Sequence, residues 1–404
     1  MKRIVSALAG AAAFALVLGG TVAAERPAST FPVIVVFSDD APLQNFRGAY
    51  QADARAAADP GAWGYLDRGV GGALQALERA HGFRADHAYS AALRGFAARL
   101  TAPQIADLEN DPMVAYVEAD GTMAAVVQTL PWGINRIDAD ISSTVAGDGT
   151  GTVTGVNAYV IDTGIATNHT DLTVVGHVNF AGGRNRDCNG HGTHVAGTIG
   201  AKDNTSDVVG VAPGVRLTGV KVLGCNGSGS TSGVIKGVDW VTANAVKPAV
   251  ANMSLGGSVS TALDDAVKRS ADSGVFFALA AGNSGADACN SSPARAGTHN
   301  GVFTTAATDS ADNEASWSNY GSCVDGWAPG VSILSTRLNG GTTTLSGTSM
   351  ASPHTAGTGA LYLFSQNAGA TAAQVESALK TDMVTTAKTS KDGRTITVVY
   401  AGRY

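Results

Sequence analysis

A 404-residue chain that is 44% hydrophobic can bury a substantial core and divide into two or three domains. Its 27 basic and 33 acidic side chains leave a net charge of −6. That balance lacks the basic patch of a nucleic-acid-binding protein and speaks mainly to solubility, so no nucleic-acid partner is expected.

The first residues read as a secretory signal. Lys2 and Arg3 supply a positive start, residues 4–20 an apolar stretch, and "VAA" at 22–24 the small residues that place cleavage after Ala24. The apolar stretch is short for a membrane span and no second one approaches that length, so a soluble, secreted protein without a membrane partner is expected. Export shifts the reading of Cys188, Cys225, Cys289 and Cys323 towards disulfides, since the count is even and no two form C-x-x-C. Four cysteines allow three pairings. The sequence-local one joins Cys188 to Cys225 and Cys289 to Cys323.

Residues 25–125 have a texture of their own. "FPVIVVFS" predicts a strand, "GGALQALERAHGF" a helix and "AYSAALRGFAARL" a strand with bends. "TAPQIADLENDP" starts a helix, with Thr101 and Gln104 at capping-box spacing and Pro103 in the first turn. "MVAYVEADG" predicts a closing strand. This is a small α+β unit without evident chemistry.

From about residue 126 the chain turns to glycine, serine, threonine and small apolar residues. Strands are predicted at "VNAYVID" (156–162), "VRLTGVKVL" (215–223), "VANMSL" (250–255), "GVFFALA" (274–280) and "VFTTAA" (302–307). Several are unbroken apolar runs, as strands covered on both faces of a parallel sheet require. Helical stretches such as "TSGVIKGVDWVTANAV" and "TALDDAVKRSADS" lie between them, which predicts a doubly wound α/β domain.

Function in such sheets collects at the carboxyl ends of the strands. Asp162 stands at one, where "YVID" gives way to a Thr-Gly turn; alone, it reads equally as a turn-forming aspartate. "DCNGHGTHVAGTIG" (187–200) sets His191 and His194 three apart. A zinc site would need H-E-x-x-H or a further Cys/His cluster, and neither occurs, so no catalytic metal is expected. "LSGTSMASPHTAG" (345–357) opens a helix expected from Ser349 to about Phe364. Ser349 is either an N-cap or a nucleophile beside helix N–H groups. Taken together, the three fit one chemistry. A serine hydroxyl needs a base to take its proton, and the base needs a carboxylate to fix its tautomer and stabilise its cation.

"YVIDTGI", "NGHGTHVAGTIG" and "SGTSMASPH" resemble the three active-site blocks of the subtilisin-like serine proteases, whose triad runs in the same Asp, His, Ser order. "PWGINRIDA", "VKVLGCNGSGS" and "SNYGSCVDGWAPG" narrow the resemblance to the proteinase K and aqualysin-like branch, from about residue 128 onwards. The preceding segment is similar to the inhibitor-type propeptide of these enzymes. The resemblance implies an α/β fold with a doubly wound, mostly parallel sheet, preceded by a small α+β propeptide domain. The chain then divides into signal (1–24), propeptide (25–127) and peptidase (128–404).

The resemblance further implies site residues. His191 is the general base and His194 structural; Asn283, with the backbone N–H of Ser349, forms the oxyanion hole. Gly227, Ser228 and Gly229 face Ser254, Leu255 and Gly256 as two walls that hold a peptide substrate as an added strand. Ala280, Ala281 and Gly282 line an open pocket for apolar or aromatic residues. Structural calcium is implied at Asp325 with the carbonyls of Asn300 and Val302, and Asp138 and Asp140 are weaker candidates for a second ion. The sequence-local disulfide pairing also matches the branch. A monomer is implied, with a propeptide that assists folding, inhibits the enzyme and is removed between about Met123 and Gln128. The competing reading is a catalytically inactive binding protein on the same fold. It would be marked by a missing triad or oxyanion residue, and none is missing.

Overall fold

The computed structural model describes residues 29–51, 66–121 and 128–404. The expected signal at 1–24 and the expected maturation segment at 123–127 fall outside them. The chain divides into two compact units, Met1–Ala124 and Ala125–Tyr404.

In the first unit, β1 (Thr30–Phe37), β2 (Ala85–Tyr89), β3 (Gly95–Thr101) and β4 (Val114–Ala119) form an antiparallel sheet in the order β2-β3-β1-β4. Helices α1 (Arg68–His81) and α2 (Ala102–Glu109) pack Val70, Leu74, Leu77 and Leu108 against Val35, Phe96 and Leu100. The Asp67 carboxylate starts α1 by accepting the N–H groups of Gly69 and Val70. At α2 the Gln104 side chain accepts the Thr101 N–H at 2.8 Å, as its spacing predicts. Residues 88–100, read as one bent strand, are the end of β2, a turn and β3; the bends at Ala91–Leu93 are the turn of a hairpin.

The second unit opens with the short helix α3 (Trp132–Arg136) and is built on nine strands. These are β5 (Asn157–Asp162), β6 (Val174–Asn179), β7 (Arg216–Lys221), β8 (Ala249–Met253), β9 (Val275–Ala280), β10 (Val302–Thr308) and β11 (Gly326–Pro329), then β14 (Val384–Thr389) and β15 (Thr395–Val398). Between them β12 (Ile333–Thr336) and β13 (Thr342–Leu345) make a separate hairpin. The large sheet has the order β14-β15-β11-β10-β9-β8-β5-β7-β6 and is parallel except for β14.

Every residue of β5, β8, β9 and β10 is buried, because helices cover both faces. Ala158 and Val160 point into one core with α4 (His191–Gly200) and α7 (Thr348–Ser365); Tyr159 and Ile161 point into the other with α5 (Thr231–Asn244) and α6 (Thr261–Asp272). A last helix, α8 (Ala372–Asp382), sets Val375 and Leu379 into the first of these cores. From β5 the order runs outwards both ways, to β7 and β6 on one side and to β8 on the other. Such a switch point opens a crevice at the carboxyl end of the strand, and Asp162 is the last residue of β5. Among the described residues no helix is long and apolar enough to cross a membrane.

Candidate active site

Asp162 is fully buried and its Oδ1 accepts the Thr163 N–H at 2.6 Å. His191 Nδ1 lies 2.8 Å from Oδ1 and 3.0 Å from Oδ2 of the same carboxylate. That contact assigns Nδ1 the proton and leaves Nε2 as the basic nitrogen. The Asp162 charge raises the His191 pKa above its ordinary 6.5, against the opposing pull of burial.

His191 is the first residue of α4, and Gly190 just before it takes φ 100°, a conformation that favours glycine. His194 faces the other way. It is buried with Nε2 donating to the carbonyls of Ile333 and Thr343, and burial drives its pKa down to about 4. It stays neutral as a packing residue, whereas His191 faces the Asp162 carboxylate.

Ser349 is the second residue of α7. Its hydroxyl donates to the Ser254 carbonyl at 3.2 Å, while the Ser254 hydroxyl donates to the Ser349 carbonyl at 2.7 Å. No hydrogen bond joins Ser349 to His191 here. Ser254, which holds Ser349 through both bonds, lines the same cleft as His191.

Asn283 is exposed just beyond β9. Its Oδ1 accepts both the backbone N–H and the hydroxyl of Thr348, at 2.9 and 2.8 Å, which leaves the Nδ2 amide as the free donor beside Ser349. A cavity of about 380 Å³ runs alongside, lined by His191, Gly227, Ser228, Gly229, Ser254, Leu255 and Gly256, together with Leu223, Val234 and Leu263. The two expected walls therefore meet at one cleft. Ala280, Ala281 and Gly282 do not line this cavity; they form the end of β9 and the turn into Asn283.

The family model described as the subtilase family matches residues 154–398, and that of the peptidase inhibitor I9 matches residues 32–125. The chain belongs to the subtilase family. It is similar to an extracellular serine proteinase of Thermus sp. (strain Rt41A), 50% identical over 74% of this chain and 73% of that protein. It is also similar to an alkaline serine exoprotease A of Vibrio alginolyticus, 48% identical over 75% of this chain and 58% of that longer protein. A crystal structure of a cold adapted subtilisin-like serine proteinase is 48% identical, with a TM-score of 0.59, and is covered over 97% of its length by 67% of this chain. This subtilase is a serine-type endopeptidase with an inhibitor-type domain ahead of it.

Two residues that organise the subtilase site carried no signal used in the sequence. Asp187 is buried; its Oδ1 accepts the N–H groups of Asn189 and Gly190 and the Thr163 hydroxyl, and its Oδ2 accepts Thr193. It ties the loop before His191 to the end of β5. Asn319, in "SNYG", accepts the N–H groups of Ser284 and Ala286 and donates to the Ala281 carbonyl, so it braces the turn that carries Asn283. Their positions in "DCNGHG" and "SNYG" were visible, but acceptors of backbone N–H groups have no spacing rule to reveal them.

Both disulfides follow the sequence-local pairing, Cys188–Cys225 and Cys289–Cys323. The calcium residues are placed differently. Asp325 Oδ1 lies 2.6 Å from the Lys380 ammonium and Oδ2 accepts the Thr304 N–H at 2.7 Å, so both oxygens are engaged. Asp138 and Asp140 stand together after α3, where burial and the Asp140 charge raise the Asp138 carboxyl. Among the described residues no group of three His, Cys, Asp or Glu is placed to hold a metal ion. The arrangement around Asp325 does not fit a calcium ion there, because an ammonium already takes the place of the cation.

Proposed function

We propose that this subtilase is secreted, matures itself by cutting off its inhibitor-type segment, and then cleaves peptide chains after apolar or aromatic residues through an acyl-enzyme. The Asp162–His191 pair on the wall of an extended cleft carries the reading. Among the described residues the cleft offers no carboxylate, and His191 is the sole ionisable side chain among them that lines it, so it favours uncharged side chains. The name of the extracellular Thermus relative and the N-terminal Lys2, Arg3 and apolar run support export.

In this mechanism His191 Nε2 takes the Ser349 proton as the hydroxyl oxygen attacks the peptide carbonyl. Asp162 keeps the proton on Nδ1 and stabilises the imidazolium that forms. The Asn283 amide and the Ser349 backbone N–H donate to the new oxyanion. His191 then protonates the leaving amine, and water repeats the sequence on the acyl-enzyme. The chain acts as a monomer on protein substrates, with its own residues 25–127 as the first inhibitor and substrate.

Intact mass of the full chain and of its Ser349→Ala variant, incubated alike, tests this. The native chain is expected to split between residues 123 and 128 and the variant to stay whole. Identical splitting of both, or a native chain that folds and never splits, overturns self-maturation.

A further inference from the structure

Asp325 follows Cys323 at the entry to β11, with its side chain 9% exposed. Glu376 comes from α8, equally removed from water at 6%. Each carboxylate takes one backbone N–H from the start of β10, Asp325 from Thr304 and Glu376 from Gly301. These are the residues among which the calcium carbonyls of Asn300 and Val302 are expected. Two buried carboxylates in one place repel each other and are costly to desolvate unless a cation joins them.

The cation is Lys380, one helical turn beyond Glu376. Its Nζ lies 2.6 Å from Asp325 Oδ1 and 2.5 Å from Glu376 Oε1. The stem is partly exposed, so the ammonium reaches in from the solvent side. A calcium ion needs six to eight oxygens and would have to expel this ammonium, since two cations cannot share the Asp325 oxygen without repulsion.

We propose that Lys380 is the resident cation of this site: an ammonium carried on α8 replaces structural calcium and ties α8 to β10 and β11. Because the charge is covalently part of the chain, this corner of the fold keeps its strength in the presence of a chelator. The inference is independent of the catalytic reading.

The test uses the full chain with Ser349→Ala to prevent self-digestion. Calcium equivalents bound are counted by calorimetry for this parent and for Asp325→Asn. Equal counts are expected; one fewer in Asp325→Asn overturns the proposal. In chelator, Lys380→Met is expected to melt about 5 °C or more below the parent and Lys380→Arg close to it, and an unchanged Lys380→Met melting point overturns the proposal. Should Asp325→Asn not fold, Lys380→Met carries the count. One additional calcium supports the proposal, and an unchanged count overturns it.

Discussion

Thr193 donates twice to Asp187, its hydroxyl at 2.5 Å and its backbone N–H at 3.1 Å. With the N–H groups of Asn189 and Gly190 also on Asp187, at 2.9 and 3.0 Å, one buried carboxylate fixes the backbone on both sides of His191. Asp187→Ala leaves those donors without an acceptor, at about 1–3 kcal/mol each where water cannot reach them. His191, the proposed general base, then loses its fixed place relative to Ser349. kcat is expected to fall about 10- to 100-fold with KM little changed, and Asp187→Asn to fall less. Steady-state kinetics on a peptide amide read this, and an Asp187→Ala enzyme with native kcat would show that the loop is held by other means.

The pH dependence follows from His191. In the proposed mechanism catalysis needs the neutral imidazole, and the Asp162 charge raises its pKa above 6.5. kcat/KM is therefore expected to climb with pH to a midpoint above 6.5. Stability runs the opposite way. A pKa raised by folding means that the protonated pair stabilises the fold, fully below the unfolded value of about 6.5 and less as pH rises through the folded value. Asp162→Asn should lower the midpoint and cut kcat by about 10,000-fold. Rate–pH profiles of both enzymes check the shift, and denaturant melts of Ser349→Ala across the same range check the opposing trend in stability.

The central strands were legible because both faces of β5, β8, β9 and β10 are covered, and such burial leaves them mostly apolar, small or β-branched residues. β6 and β14 were not. β6 is half-buried and β14, "VTTAKT", has no buried residue, so neither carries the apolar signal that marks a strand. The same division runs through the site. Asp162, His191 and Ser349 are each ambiguous alone and gain their roles from their combination and the family resemblance, and the fold sets Asp162 2.8 Å from His191. Lys380 could not be found that way. The resemblance carries Asp325 and its expected ion, whereas the ammonium arrives from α8, and only the fold brings them together.

Gly282 precedes Asn283 with φ at 105°, and its N–H donates to the Thr348 hydroxyl at 3.0 Å. A Cβ added there would stand 2.4 Å from the Asn319 amide nitrogen. Gly282→Ala therefore strains the backbone and pushes away the side chain that braces Ser284 and Ala286. Asn283 is displaced as a consequence. kcat is expected to drop about 100- to 1,000-fold, as when an oxyanion donor is removed outright, and Asn283→Ala should match it. If Gly282→Ala retained its kcat while Asn283→Ala lost it, the turn would have room that the Asn319 contacts deny.

The two disulfides close loops of similar length, with sequence separations of 37 and 34, so loop entropy assigns each about 4 kcal/mol. Their surroundings differ. Cys225 offers its carbonyl to the Asn189 side chain at 3.0 Å, and Asn189 Oδ1 accepts the His191 N–H at 3.2 Å, so the Cys188–Cys225 bridge is two contacts from the general base. Cys289–Cys323 joins the segment after β9 to the loop that leads to Asp325, and among the described residues no hydrogen bond from either cysteine reaches the loop that carries His191. Replacing either pair by serines is expected to lower the melting point by about 8–16 °C in the Ser349→Ala background. In the active enzyme only the Cys188/Cys225 pair should also lower kcat at temperatures where both variants are folded. Equal loss of kcat in the two variants would place the effect in global stability rather than in the loop that carries His191.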